Sequence, residues 1–467
     1  MRNSTYGLRS AVTSIIAFSA FLAESAQGGG FALLEQSASR LGTAFAGTGA
    51  AADDVSTVFF NPAGLTHLEG SHAAVVASAI EITSEFHIGA DSVAAFGQPL
   101  GNNGGDAGDW NYVPSAYLST RINDQLAIGL GVNAPFGLKL EYASGWAGRF
   151  QALNSEIETI NVNPSIAYQV NDRLSIGLGA NYQRIQAELT NAVNYFAVAF
   201  QGAVQLINAG QLPAQALVPL TNSTSGAEGH ARVRGDDNAW GFNFGLLFDL
   251  SDSTRLGLSY RSSVDYEVEG SVQFTPPLLT DPVASAVIAN VSAPGGPLSN
   301  GPASVDLELP DSATLSLRHV IGDDVELLAD IAWTGWSSVQ ELVVLRDTGV
   351  PVSETPELWD DTWRFALGGT YRLNDALKLR AGVAYDQTPV PDSTRTPRLP
   401  DEDRAWIALG VQWVMSEALT FDAGYAHLFS EDASLRQNAG NTVLNGVLVG
   451  EQTSDVDVLS VQLSYQF

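Results

Sequence analysis

The feature that most constrains this chain is an alternation of large apolar residues with small or polar ones. In "AWGFNFGLLFDL" (239–250), large apolar side chains occupy every second position, and glycine, asparagine or aspartate fills most positions between them. "QLAIGLGV" (125–132) and "LSVQLSYQF" (459–467) repeat this pattern. Successive side chains of a β-strand point to opposite faces, so a period of two predicts strands with one apolar and one polar face.

Charged residues on the polar face indicate where these strands reside. "TWRFALGGTYRL" (362–373) and "ALKLRAGVAYD" (376–386) place arginine and lysine opposite the apolar face. A packed soluble core does not accept unpaired charges. A barrel in lipid accommodates both faces, because its outer wall is apolar and its lumen is polar. The soluble alternative, a large β-sandwich or secreted adhesin, shares the alternation but does not explain inward-facing arginines.

Short polar turns give the number of strands. They lie at Asn123-Asp124, Asn171-Asp172, Ser251-Asp252, Gly322-Asp323, Asn374-Asp375 and Ser416-Glu417. Long insertions rich in Gly, Pro, Asp and Ser separate them, which is the loop asymmetry of an outer-membrane barrel. Six turns within residues 71–467 predict an all-β fold, a closed transmembrane barrel of fourteen antiparallel strands with long extracellular loops.

Two segments precede the predicted barrel. Residues 1–28 combine Arg2 and Arg9 with a short apolar run and small residues near Gly28, which predicts a signal peptide and therefore export. Residues 29–70 show little alternation. A barrel of about eight strands is filled by its own side chains, so a wider one has room for another segment. We therefore predict that residues 29–70 form a plug, or hatch, inside the lumen.

Composition excludes several functions. A formal net charge of -29 argues against nucleic acid as a partner, and the absence of cysteine excludes disulfides and thiolate metal sites. The six histidines are scattered, without an HExxH pair or a G-x-S-x-G motif. The sequence thus predicts no enzyme, no cofactor and no metal site. An outer-membrane lipase is the rival from another class, and a general porin is disfavoured by the plug.

The N-terminal part of the mature chain resembles a known family. "GGFALLEQSASRLGTAFAGTGAAADDVSTVFFNPAGL" (29–65) is similar to the hatch of the FadL family of outer-membrane long-chain fatty-acid transporters. The resemblance continues through "GVNAPFGLKLEY", "GWAGRFQAL" and "INVNPSIAY" to Phe467. It implies a monomer that takes up hydrophobic molecules passively, most simply long-chain fatty acids. Neutral hydrocarbons or small aromatics are the alternative ligands on the same fold.

The resemblance also implies a route for the ligand. It passes from an outer groove to a lumen pocket reached by the mature N-terminus, and then leaves sideways beside a kinked third strand. Asn61, Pro62 and Ala63 correspond to a conformational element of the hatch, although a plain Asx-Pro turn explains the same residues. Phe31 is the candidate residue for contacting the ligand. The alternative is that Phe31 is an incidental surface residue.

The third predicted strand is the candidate for the lateral exit. Glycine weakens a strand and proline removes a ladder hydrogen bond, so the wall can open where both occur. The residues in question are Gly129, Gly131, Asn133 and Pro135. The competing interpretation is that "NAPFG" only ends the strand.

Two extracellular loops, 191–210 and 281–291, have helical apolar stripes. Such stripes either pack together as a small core or form an apolar groove for ligand, and the resemblance favours the groove. The candidate groove residues are Phe196, Phe200, Val204, Val287 and Ile288.

A fatty-acid carboxylate needs a cationic partner. The candidates are Arg149, Arg364 and Arg404, each of which can equally form a salt bridge within the lumen. Acidic clusters at 236–238, 360–361 and 401–403 are expected to be solvated loop charges that contact lipopolysaccharide through divalent cations.

Overall fold

A single antiparallel sheet that closes on itself forms most of the molecule. The computed structural model describes residues 29–437 and 442–467, so the predicted signal peptide, 1–28, lies outside the described residues. The strands are β1 Ser71–Ile88, β2 Trp110–Arg121, β3 Leu126–Asn133, β4 Gly137–Glu141, β5 Asn154–Asn171, β6 Leu174–Asn194, β7 Glu228–Ser251, β8 Thr254–Arg261, β9 Val264–Thr275, β10 Gly301–Leu309, β11 Ser312–Ile321, β12 Val325–Thr334, β13 Glu341–Arg346, β14 Pro351–Pro356, β15 Thr362–Arg372, β16 Leu377–Asp386, β17 Arg404–Val414, β18 Leu419–Ser430, β19 Ala433–Gln437 and β20 Leu448–Gln466.

The first and last strands close the barrel. β1 pairs with β2 on one side and with β20 on the other, from His72 opposite Gln466 to Ile88 opposite Gly450. Six strands are each interrupted into two pieces, such as β3 with β4 and β8 with β9, that pair along the same neighbours. When the two pieces of each interrupted strand are counted as one strand, the barrel has fourteen strands, which confirms the prediction. Pairing of β1 with β20 closes the sheet into a barrel, as a spanning sheet in lipid requires.

The short turns lie where the sequence predicts them. Each of the six polar turns joins two successive antiparallel strands, for example Asn123-Asp124 between β2 and β3, and Asn374-Asp375 between β15 and β16. The Asn123 side chain accepts hydrogen bonds from the backbone N–H groups of Gln125 and Leu126. Asparagine is thus favoured here because its side chain stabilises the turn locally.

The two faces of the strands differ as the alternation predicts. In β3, Ile128 is 40% exposed and Leu130 is 38% exposed, whereas Ala127 between such positions is buried. The outward side chains form the apolar surface that a barrel presents to hydrocarbon, and the inward ones face the lumen.

Helices occur in the N-terminal segment and in the long loops between strands. Those of the N-terminal segment are Ala38–Leu41, Thr48–Ala51, Thr57–Phe60 and a 3-10 turn at Pro62–His67. Those of the loops are Tyr195–Asn208, Leu217–Thr224, Pro282–Val291 and Thr442–Asn445, with 3-10 turns at Ala214–Ala216 and Trp336–Ser338. Among the described residues, no helix is both long and apolar enough to cross a membrane.

Candidate functional site

Residues 29–70, the N-terminal segment, pack against inward-facing residues of the strands. Glycines on the strands permit this close approach. A side-chain carbon on Gly177 would lie 2.3 Å from the Ala63 nitrogen, and one on Gly245 would lie 1.9 Å from the Asn61 side chain. Most of the segment is consequently buried between the strands. The small residues on the lumen face of the alternating pattern are therefore required by the segment that they contact.

The Asn61-Pro62-Ala63 element combines a local turn with a contact to the wall. Asn61 Oδ1 accepts a hydrogen bond from the Ala63 N–H at 3.1 Å, which is the Asx turn that starts a 3-10 helix. Asn61 Nδ2 donates to the Gly49 carbonyl at 2.6 Å and to the Leu246 carbonyl of β7 at 3.2 Å. The same side chain thus joins two parts of the N-terminal segment to the barrel.

A cavity of about 140 Å³ lies between the N-terminal segment and the wall; we call it the inner cavity. Its apolar lining includes Leu33, Phe45, Phe59, Phe60, Pro135, Phe136 and Trp336, and its polar lining includes Tyr260, Arg261, Asp330, Arg364 and Asp386. An apolar cavity of about 150 Å³ can hold benzene, so the inner cavity has room for a small apolar group but not for a whole long acyl chain.

Phe31 lies in an aromatic cluster beside the inner cavity. Its ring centroid is 5.0 Å from that of Trp336, 5.9 Å from that of Trp359 and 6.0 Å from that of Phe136, all in edge-to-face arrangements. Phe31 is 3% exposed, so it is not an incidental surface residue. Edge-to-face pairs add about 0.5–1.5 kcal/mol each beyond burial, which stabilises the start of the segment in this position.

Charged groups surround the start of the segment. The Gly29 N–H donates to Asp386 at 3.0 Å, and the Gly30 N–H donates to Asp401 at 2.9 Å. Asp401 is also ion-paired with Arg404. Arg364 donates to the Ala44 carbonyl at 2.6 Å. Of the three arginines predicted to bind a carboxylate, Arg364 is the one that lines the inner cavity.

Arg149 lies elsewhere, in the loop between β4 and β5. Its guanidinium contacts the Glu228 carboxylate at 2.7 Å and 3.0 Å and donates to the carbonyls of Pro99, Leu100 and Trp146. Of the two alternatives given for Arg149, carboxylate binding and a salt bridge, the structure shows the salt bridge. The bonds of Arg149 also hold loop segments together. Its role as a carboxylate receptor stays a prediction.

The wall is interrupted beside the inner cavity. The β2–β3 ladder ends at Ala116 opposite Val132, and β4 pairs with β5. Among the described residues, no ladder joins β4 to β2. The break contains Ala134, Pro135 and Phe136, so the interruption follows the predicted glycines, Asn133 and Pro135 in the chain.

The N-terminal segment occupies this break. Leu33 N–H donates to the Pro135 carbonyl at 2.8 Å, and Gly137 N–H donates to the Phe31 carbonyl at 3.0 Å. Backbone groups that would otherwise pair with a neighbouring strand are therefore satisfied by the segment.

Gln36 connects both sides of the break. Its Nε2 donates to the Ala134 carbonyl at 2.7 Å, while its Oε1 accepts from Ser115 Oγ of β2 at 2.7 Å and from the Ala134 N–H at 3.4 Å. The side chain is fully buried. The hydrogen bonds of Gln36 thus join Ser115 of β2 to the backbone of Ala134, and these buried groups would lose their partner together if Gln36 moved away.

The predicted groove residues pack mainly into a core of their own. The helix Tyr195–Asn208 contacts the helices Leu217–Thr224 and Pro282–Val291. Phe196 and Phe200 face Phe96, at centroid distances of 5.2 Å and 5.1 Å. Among the predicted residues, Phe196, Val287 and Ile288 are buried, and Phe200 and Val204 are half-buried. This is the packing alternative, and a ligand contact of these residues stays a prediction.

A larger cavity of about 750 Å³ lies among the long loops and the strand ends next to them; we call it the outer cavity. Its apolar lining includes Phe150, Val193, Val198, Val233, Val272, Phe274, Leu298, Val344 and Val352. Arg398 and Arg436 also line it. The outer cavity thus combines an apolar surface with two cationic side chains and one carboxylate, that of Glu354.

The acidic clusters are not equivalent. Asp236 is exposed and pairs with Arg184 at 3.1 Å on the strand surface. Asp401, by contrast, is 2% exposed, so the expectation that cluster 401–403 is solvated is wrong for this residue. Its carboxylate is buried because it receives the Gly30 N–H and the Arg404 guanidinium.

Several site residues escaped the sequence analysis. Trp336 and Trp359 come from loops far from Phe31 in sequence, and no local pattern marks them. Gln36 and Arg398 sit in segments without strand periodicity. A polar residue among buried neighbours could have drawn attention to Gln36, since glutamine rarely lies inside without partners.

Comparison with known proteins shows which family this chain belongs to. Residues 19–467 match the family described as "Outer membrane protein transport protein (OMPP1/FadL/TodX)". The long-chain fatty acid transport protein of Escherichia coli O6:H1 is 28% identical over 430 residues, covering 90% of this chain and 91% of that protein. Outer membrane protein P1 of Haemophilus influenzae Rd is 29% identical over 94% of this chain and 95% of its own length.

Solved structures give the same result. A crystal structure of a Pseudomonas aeruginosa FadL homologue superposes with a TM-score of 0.82 at 27% identity, covering 94% of this chain and all of that one (100%). The Pseudomonas putida toluene transporter TodX shares the fold at a TM-score of 0.62 and 18% identity, covering 96% of this chain and 100% of its own. The family match extends over nearly the whole chain, so the protein is an outer-membrane barrel of the FadL/TodX family of transport proteins.

Proposed function

We propose that this protein mediates passive uptake of long-chain fatty acids across the bacterial outer membrane. One observation carries the proposal: Pro135 and Phe136 lie in the break of the wall and also line the inner cavity. A ligand held in that cavity is therefore separated from the lipid side by the N-terminal segment and a few backbone hydrogen bonds. The names of related fatty-acid transport proteins support the same ligand class.

The route begins in the outer cavity. Burying an acyl chain against aliphatic side chains yields about 0.8 kcal/mol per CH₂, which supplies affinity without a specific polar contact. The ligand then displaces part of the N-terminal segment to occupy the inner cavity, with Phe31 against it. We infer that Asn61-Pro62-Ala63 is the point about which the segment, acting as a hatch, rearranges.

The exit is lateral, through the wall between β2 and β4. Gly129 and Gly131 are still paired with β2, whereas Asn133 and Pro135 follow the last pair of that ladder, and displacement of Gln36 opens the remaining gap. The protein acts as a monomer surrounded by outer-membrane lipid and lipopolysaccharide. It transports its ligand without changing it chemically, so it is a channel and not an enzyme.

The test is uptake in cells that lack their own long-chain fatty-acid channel. We expect this protein, once its surface level is measured, to raise uptake of radiolabelled oleate above an empty-vector strain. Uptake of a small sugar should stay unchanged, because the lumen is closed to hydrophilic solutes. Faster uptake of hexadecane or toluene without any gain for oleate would favour the hydrocarbon alternative, and no gain for any apolar solute would contradict the proposal.

A further inference from the structure

Arg398 differs from the other arginine of its loop in what it contacts. Arg395 is ion-paired with Asp392 at 2.7 Å and with Glu402 at 2.6 Å. Arg398 instead donates to the Asn154 carbonyl, Ser155 Oγ and the Thr190 carbonyl, at 3.2 to 3.5 Å. In the part of the chain that the structure describes, no carboxylate lies within ion-pair distance of Arg398.

This arrangement leaves the cation only partly compensated. Burial lowers the pKa of Arg398 to about 10, and Glu357 is the carboxylate that opposes this shift. Hydrogen bonds from a guanidinium to neutral oxygens are weaker than those to a carboxylate. A partly buried cation with neutral partners is therefore stabilised by any anion that reaches it.

The surroundings of Arg398 select the kind of anion. Arg398 lines the outer cavity, whose other walls include Val233, Val272 and Phe274. A phosphate or a small carboxylate would leave these apolar walls exposed to water. A molecule with one anionic head and a long apolar tail satisfies both the cation and the walls.

We propose that Arg398 binds the carboxylate of a long-chain fatty acid in the outer cavity, with the acyl chain against the apolar walls. This inference rests on the proposed uptake function and specifies its ligand as anionic.

Arg436 supplies a matched control. It lines the same cavity, but its side chain is 69% exposed and lies 3.7 Å from Asp91. Water and salt screen a charge in such a position, so it contributes little to binding. A comparison of the two arginines therefore distinguishes a general effect of positive charge near the cavity from direct contact between a guanidinium and the ligand.

The experiment compares oleate with oleyl alcohol, which has the same chain and no carboxylate. Binding to the purified full-length protein in detergent is measured at a pH at which oleate is ionised. We expect R398Q to weaken oleate binding about tenfold and to change oleyl alcohol binding by less than about twofold. R436Q should change neither by more than about twofold, and R398K should recover part of the oleate affinity because it keeps the charge.

Two results would overturn the inference. One is R398Q that binds oleate as tightly as the unchanged protein does. The other is R398Q that loses affinity equally for oleate and oleyl alcohol, which would make Arg398 a structural residue of the cavity. If the unchanged protein bound neither molecule, the proposed uptake function would fail as well, so the two failures are distinguishable.

Discussion

The inner and outer cavities differ in size and in lining. The outer cavity, at about 750 Å³, has largely aliphatic walls and contains Arg398, which donates to neutral oxygens. The inner cavity, at about 140 Å³, has aromatic walls, and its Arg364 likewise donates to a neutral oxygen, the Ala44 carbonyl. The outer cavity can thus accept a long chain as it stands, whereas the inner one needs the N-terminal segment to move first.

The largest expected effect comes from removing that segment. Deleting residues 29–70 while keeping residues 1–28, the predicted signal peptide, should raise the ion conductance of the barrel in planar bilayers by about tenfold or more, because fourteen strands enclose a lumen wider than their own side chains fill. Binding of oleyl alcohol to the outer cavity should persist. Conductance as low as that of the full chain, from a folded barrel, would show that the segment does not close the lumen.

Phe31→Ala should affect the inner cavity alone. Truncating a buried phenylalanine costs about 3–5 kcal/mol, and here the loss falls on the docking of the segment against Trp336. Hydrogen exchange of the amides of residues 31–36 should accelerate accordingly. Phe274→Ala, on the wall of the outer cavity, is the matched control: it should weaken ligand binding there and leave exchange in the segment unchanged. Equal effects of both substitutions would mean that the cavities are not independent.

The sequence predicted the barrel far better than either cavity. Strand alternation and polar turns are local signals, so residues such as Ile128 and the Asn123-Asp124 turn could be assigned from their neighbours alone. The aromatic cluster around Phe31 could not, because Trp336 and Trp359 reach it from distant loops.

Helical stripes posed a different difficulty. A stripe shows that one side of a helix is apolar, but it does not show whether a protein core or a ligand covers that side. The helix Leu217–Thr224, which the sequence analysis did not foresee, supplies part of the core against Tyr195–Asn208. Within the acidic cluster at 401–403, Asp401 was misjudged for a similar reason, since its partners include Gly30, far away in the chain.

Gln36→Leu should have a smaller effect, confined to the wall between β2 and β4. It leaves Ser115 Oγ and the Ala134 backbone without the amide that joins them, at a cost of about 1–3 kcal/mol for an unsatisfied buried group. Amide exchange at Ala134 should accelerate, and oleate uptake should change in rate without a change in outer-cavity affinity. Ser115→Ala, which removes one of these contacts, should give a weaker version of the same result. Unchanged exchange at Ala134 would contradict the role of Gln36.

The smallest expected effect concerns pH and the outer cavity. Burial raises the pKa of Glu357 to about 7, and Arg398 lies close enough to oppose that shift. Glu357 is therefore largely neutral at pH 6 and ionised at pH 8.5, where it competes with an anionic ligand for Arg398. Binding of dodecyl sulfonate, which stays anionic throughout, should weaken about twofold to threefold over this range. Glu357→Gln should abolish the change, and a pH dependence that persists in this variant would assign the effect to another group.

Lateral exit is the central claim, and a reversible cross-link tests it most directly. Ser115 and Ala134 both contact the Gln36 side-chain oxygen across the wall break, and the chain has no cysteine of its own. We predict that a protein carrying Ser115→Cys and Ala134→Cys takes up oleate when reduced and stops when a disulfide joins the two strands, while oleate binding in detergent is retained. Uptake at the same rate with the disulfide formed would contradict an exit through this part of the wall.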